Sequence, residues 1–171
     1  MAKLVYNIEK LKEGDITAGV MIKVEDDNIT SKNILNTEES LLEDRSNIDD
    51  LAKLCFKDID KDFVSRANLN GRGFIVAGDN YLTGENSFDV AATLAHLGIK
   101  GVIAKSFDEK HKEDLIKNDI LPMVFADSKE YDDVGLYNIL KVKNIKVDFP
   151  KGILEVVNIT EGTSFCVKVN F

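Results

Sequence analysis

Gly73-Phe74-Ile75-Val76-Ala77-Gly78-Asp79-Asn80-Tyr81-Leu82-Thr83-Gly84, followed by the segment from Phe88 to Leu97, decides the fold. The apolar run ending in Gly78 reads as a buried strand and Asp79 to Gly84 as a turn, while Val90, Ala91, Leu94 and Leu97 recur at helical spacing. Gly98 closes that helix. Gly101-Val102-Ile103-Ala104 supplies a second buried strand, Asp108 to Asn118 a charged helix whose Leu115 and Ile116 face inward, and Ile120 to Phe125 a third strand. Two strand-helix-strand units in succession call for parallel neighbours joined by crossovers, so the expected fold is α/β with a mainly parallel central sheet. Beyond Asp127 the pattern turns to alternation, in Ile145-Lys146-Val147-Asp148-Phe149 and Phe165-Cys166-Val167-Lys168-Val169, which predicts half-exposed antiparallel strands. Upstream, residues 25 to 50 are rich in Asp, Asn, Ser and Glu, which favour turns and caps over long elements.

The 171 residues carry 22 Lys plus Arg against 30 Asp plus Glu, a net charge of -8. Such a field repels phosphate backbones and anionic headgroups, so neither nucleic acid nor a membrane surface is an expected partner. No apolar run approaches the roughly 20 residues that span a bilayer, and the opening Met1 to Glu9 breaks too soon into charge for a signal peptide; the expected location is the cytoplasm. Two prolines and no Gly/Ser linker predict one continuous domain over residues 1–171. Cys55 and Cys166 lack CxxC spacing, so both are expected to be reduced and buried, and no metal site is expected. His111, in the run Glu109-Lys110-His111-Lys112-Glu113-Asp114, reads as a solvated helix face, and His96 as a residue meeting the end of the helix dipole. Glu25-Asp26-Asp27 lacks the spacing of a calcium loop, and Gly78 to Gly84 lacks the Gly-Lys-Ser/Thr ending of a phosphate loop.

The run Gly73 to Gly84, then Leu97-Gly98-Ile99-Lys100-Gly101-Val102-Ile103-Ala104-Lys105-Ser106-Phe107 and Ile120-Leu121-Pro122, resembles the swivelling domain of the aconitase and isopropylmalate isomerase family. Asp27-Asn28-Ile29-Thr30-Ser31 resembles the family's DNITT loop, and Arg45-Ser46-Asn47-Ile48 with Leu51-Ala52 and Cys55-Phe56 resembles the following stretch of bacterial-type aconitases. The match covers about residues 15–127. It implies a swivelling β/β/α domain, the small subunit of a hydro-lyase that acts on small carboxylic acids. The iron-sulfur cluster would then belong to a separate large subunit, with no cofactor bound by this chain. It also implies a catalytic serine and carboxylate-binding arginines on the swivel domain, of which Arg45 matches one.

Where the family reads Thr-Gly-Ser-Ser-Arg-Glu-His-Ala, this chain reads Thr83-Gly84-Glu85-Asn86-Ser87-Phe88-Asp89-Val90. Glu85 thus stands at the serine position and Ser87 at an arginine position. Lys105-Ser106-Phe107-Asp108-Glu109 replaces a further arginine by an acid, and Lys32-Asn33 replaces Asp-His after the DNITT loop. A helix N-terminus at Asn86 and Ser87 can hold a carboxylate through its free N–H groups, but Glu85 competes for that place. Two unit charges about 4 Å apart at an effective dielectric of 20 interact by about 4 kcal/mol, so a polyanionic substrate is disfavoured. Two readings of different class follow. In one, the chain is a hydro-lyase small subunit with Glu85 as the base candidate and Arg45, Asn86 and Ser87 as substrate-binding candidates. In the other, it is a swivel paralogue that has lost its chemistry and keeps a binding or docking role.

Overall fold

A computed structural model describes residue 6 and residues 14–36 and 47–169. Seven strands close into a barrel in the order β1 (Ile16–Lys23), β2 (Gly73–Ala77), β3 (Ile99–Ala104), β4 (Leu121–Phe125), β7 (Thr163–Lys168), β6 (Ile153–Asn158) and β5 (Ile139–Val142), with β5 returning to β1. The helices are α1 (Ser31–Ile34), α2 (Ile48–Ala52), α3 (Phe63–Asn70), α4 (Ser87–His96), α5 (Glu109–Lys117) and α6 (Ile145–Asp148). The β2-α4-β3-α5-β4 succession is the one the opening stretch predicts.

The expectation of a mainly parallel sheet is corrected. Three pairings, β1 with β2, β2 with β3 and β3 with β4, are parallel, but the other four are antiparallel. A parallel half needs crossover helices to connect it, whereas the antiparallel β5-β6-β7 half needs no crossover, and the two kinds of pairing meet at β4 with β7 and β5 with β1. Ile145 to Phe149 is a further correction: Ile145–Asp148 is helical and runs into a 3-10 turn at Phe149–Lys151, and the strands flank it. Asn144 enters that helix at φ 50° without a side-chain cap. Val147 is 65% exposed, so its alternation with Ile145 marks no buried face.

The barrel creates two apolar cores, and the residue pattern of each strand follows from which it serves. Phe74 and Val76 join Val20, Ile103, Met123, Phe125, Leu154, Val156 and Val167 in one. Ile75 and Ala77 join Ile22, Val102, Phe56, Phe63, Leu94 and Leu115 in the other, with the helices. All five residues of β2 are therefore buried, which is why it reads as a continuous apolar run. In β6, Leu154, Val156 and Asn158 are buried while Ile153 and Glu155 face solvent. Each fully buried Phe, Leu or Ile contributes about 1.5–3 kcal/mol.

Tyr81 is fully buried in the helix-side core, edge-on to Phe107, yet its hydroxyl is a buried polar atom with no hydrogen-bond partner among the described residues. Tyr81→Phe removes that unpaired group and keeps the ring, so it is expected to raise the unfolding free energy by about 1 kcal/mol in a denaturant titration. A loss of stability would show that the hydroxyl has a partner. Burial pushes the Cys55 thiol up to about 12, and burial, with Asp119 adding, pushes the Tyr6 phenol up to about 12. Both groups hold their protons more tightly folded than unfolded, so their contribution is intact below the unfolded values and is lost as pH rises through the folded ones. Unfolding midpoints are therefore expected to fall steeply as pH rises from about 9 towards 12. Midpoints that stay level across that range contradict the assignment. Cys166, expected to be buried, is exposed on β7, because its side chain takes the solvent-facing phase of that strand.

Candidate functional site

The loops leaving β1, β2 and β3 meet at the C-terminal ends of the parallel strands, the edge where sheets of this kind present their ligand sites. Polar residues lace them together. The Asp79 N–H donates to Asp27 Oδ1 (2.8 Å) and the Asn28 N–H to the Asp79 carbonyl (2.8 Å). The Thr83 N–H donates to the Ile29 carbonyl (3.1 Å) and the Ser31 N–H to the Thr83 carbonyl (2.7 Å). The third loop joins through Ser106, whose hydroxyl accepts from the Asn80 N–H (2.7 Å) and donates to Asp79 Oδ1 (3.0 Å). Gly78 permits this approach, since a Cβ there would stand 2.3 Å from Asp27 Oδ1. Asn28, Asn80, Leu82 and Asn86 all take left-handed backbone, at φ 54° to 63°, so this edge concentrates strained residues.

A cleft of about 450 Å³ opens beside these loops. Leu35, Leu51 and Val90 form its apolar wall, and Lys32, Asn36, Glu85, Asn86 and Asp89 supply polar and charged lining. Thr30 and Asn33 hold one side in place with a reciprocal capping box at the start of α1. On the other side, the Ser31 hydroxyl donates to the Glu85 carbonyl, which fastens the entry to α4. Lys32 is set against two acids in this lining, so the formal charge of the described wall is -1.

Glu85 and Asn86 both line the cleft, as the loop reading expects. Asn86 is the residue preceding α4 but makes no side-chain capping bond, because at φ 62° it does not take the extended backbone that capping uses. Ser87 is placed differently from the other two. It is 4% exposed and absent from the cleft lining; its hydroxyl donates to Asp114 Oδ2 and lies 2.6 Å from His111 Nδ1. Arg45 lies outside the described residues. His96 ends α4 and pairs with Asp49, Nε2 to Oδ1, at 2.7 Å.

His111 corrects the solvated-face expectation. It is 4% exposed and bonded beneath the first turn of α4. Because the Ser87 proton goes to Asp114, the His111 Nδ1–H is the donor to Ser87 Oγ, which sets the ring's tautomer. The signal was present in the spacing: His111 precedes Leu115 by four residues, so the two share a helix face, and His111, Lys112, Leu115 and Ile116 are the buried residues of α5. Lys112 reaches out of that face to Glu109 at 2.9 Å. Among the described residues no group of three or more His, Cys, Asp or Glu stands together as a metal site, and no helix is long and apolar enough to cross a membrane.

The family model for the aconitase C-terminal domain matches residues 12–128. The chain belongs to that family. Across this aconitase C-terminal domain, 124 residues are 35% identical to "3-isopropylmalate dehydratase small subunit 2" of Archaeoglobus fulgidus, covering 72% of the chain and 67% of the relative. A further 104-residue match, 34% identical, is to a probable mitochondrial aconitate hydratase of Dictyostelium discoideum; it covers 58% of the chain but spans only 13% of that much longer protein. The crystal structure of 3-isopropylmalate dehydratase from Methanocaldococcus jannaschii superposes with a TM-score of 0.71, over 92% of this chain and 83% of that one, at 22% identity. At that identity the likeness shows a shared mixed α/β fold.

Proposed function

We propose that this aconitase C-terminal domain is the small, swivelling component of a two-component hydro-lyase. It closes with its β1, β2 and β3 loops over a small carboxylic acid, while a larger partner holds the iron-sulfur cluster. The observation that carries this reading is the cleft at the loop edge of the parallel strands, walled by the Thr30 to Asn36 segment on one side and the Gly84 to Val90 segment on the other. Similarity to small subunits of 3-isopropylmalate dehydratase supports it. A cluster held by a partner would supply Lewis-acid chemistry toward the substrate hydroxyl. The chain's own part is to orient the acid: Lys32 and the first turn of α4 offer a carboxylate a cation and N–H donors, Leu35, Leu51 and Val90 shed water from its carbon skeleton, and Glu85 is the candidate proton acceptor. A cytoplasmic location belongs to the same proposal.

One observation favours the docking-module reading instead: Ser87, at a position where the family resemblance places an arginine, is buried away from the cleft. A single experiment separates the two. The tagged chain is used to capture partners from source cells, and the complex is assayed for interconversion of hydroxy and unsaturated acids. Capture of a cluster-bearing protein with turnover is the expected result. A loaded cluster without turnover leaves the docking module, and a chain that purifies alone overturns the small-subunit assignment.

A further inference from the structure

Beneath the cleft wall, α4 and α5 share a buried polar contact to which the binding of an acid assigns no role. Ser87 and His111 are both 4% exposed. The Ser87 hydroxyl donates to Asp114 Oδ2, and the His111 Nδ1–H donates to Ser87 Oγ at 2.6 Å. In the neutral imidazole the other ring nitrogen then carries no proton. That bare Nε2 faces Asp108 Oδ1 at 4.0 Å, one lone pair opposed to another and beyond hydrogen-bond range. Asp108 is the residue that caps α5, its Oδ1 accepting the Lys110 N–H at 3.0 Å. The ring is thus fastened to α4 through one nitrogen and held off the α5 cap at the other.

We infer that His111 is a pH-sensitive clasp between the α5 cap and the α4 wall of the cleft. Uptake of a second proton turns Nε2 into a donor and makes the ring a cation between two carboxylates, so the opposed lone pairs become a charge-assisted bond. Closing the 4.0 Å gap moves the ring, and the Nδ1–H carries that movement to Ser87, the first residue of α4. Asp89 and Val90, in the same turn, line the cleft. Acid therefore shuts the clasp, and neutral to alkaline pH leaves it open. No other charged group nearby takes the place of Asp108 and Asp114. On α5, Glu109 and Lys112 pair with each other at 2.9 Å, and Lys110, Glu113 and Lys117 are exposed. On α4, Asp89 lines the cleft and His96 pairs with Asp49 at the far end of the helix. β4, which packs on α5, carries no titratable side chain. The inference concerns the wall itself and holds whichever ligand or partner the cleft takes.

The test is heteronuclear NMR of the full, untagged chain from about pH 8 to about pH 5. The chain has two histidines, so it is run on His96→Asn, which removes the exposed one and leaves His111 as the sole imidazole. The expected result is that the His111 ring titrates in this interval and that the amide signals of Ser87, Asp89, Val90 and Lys110 move on the same curve. Asp108→Asn, added to that background, keeps a capping oxygen and removes the charge, and is expected to at least halve the movement of the α4 amides. Ser87→Ala cuts the link and is expected to silence Asp89 and Val90 while Lys110 still follows the ring; a field effect of the ring's charge alone would survive that change. Circular dichroism checks that each variant is folded. A ring that does not titrate in the interval overturns the proposal. So do α4 amides that stay still while it titrates, or that respond undiminished in either variant.

Discussion

A Gly98→Ala chain is expected to lose about 4 kcal/mol of unfolding free energy. Gly98 sits between α4 and β3 at φ 89°, and a Cβ there would stand 2.2 Å from the Gly71 carbonyl oxygen. The clash is with backbone, which no rotamer change relieves. Moving Gly71 would also disturb the Gly73 N–H, which donates to the Gly98 carbonyl at 3.1 Å and starts the β2 and β3 pairing. About half the cost is the left-handed conformation forced on an L-residue, and the rest is overpacking. Urea titration measures it, and a loss below about 1 kcal/mol would mean the turn has a second arrangement open to it.

His111→Ala is the other large effect, at about 3 kcal/mol. It empties a buried ring's space and deletes the Nδ1–H donor to Ser87 Oγ. The consequence reaches the cleft, because Ser87 is the first residue of α4 and Asp89 and Val90, two and three residues on, line it. Asp114→Asn, which keeps the shape and weakens one charge-assisted bond, is expected to cost about 1 kcal/mol. A double-mutant cycle with Ser87→Ala decides whether the three side chains act together: strong non-additivity is expected, and simple addition would reduce His111 to a packing residue.

What could be read in advance depended on how locally each feature is determined. β2 was legible because both its faces are buried, so five consecutive residues carry the same message. β1 went unnoticed: a register shift between Val20 and Ile22 breaks its alternation, and Val20, Met21 and Ile22 are all buried in succession. Barrel closure was not legible, since β5 meets β1 across more than a hundred residues and nothing in either strand names its partner. At the site, Glu85 and Asn86 were legible as loop residues because they interrupt a strand-loop-helix pattern, and the structure sets both in the cleft lining. His111 was misread because its immediate neighbours are polar, and for both His111 and Ser87 only the packing of α4 against α5 reveals that the side chain points inward. The antiparallel half was expected in kind but misplaced at Ile145 to Phe149, where short alternation is compatible with a single helical turn.

Closure of the seven strands leaves the barrel no free ladder on either side. Recruitment of another polypeptide by adding a strand is thereby denied to it, and so is growth into cross-β stacks. Any large-scale opening and shutting over a companion must turn the barrel as one body, with bending confined to whatever joins the two rather than to the sheet.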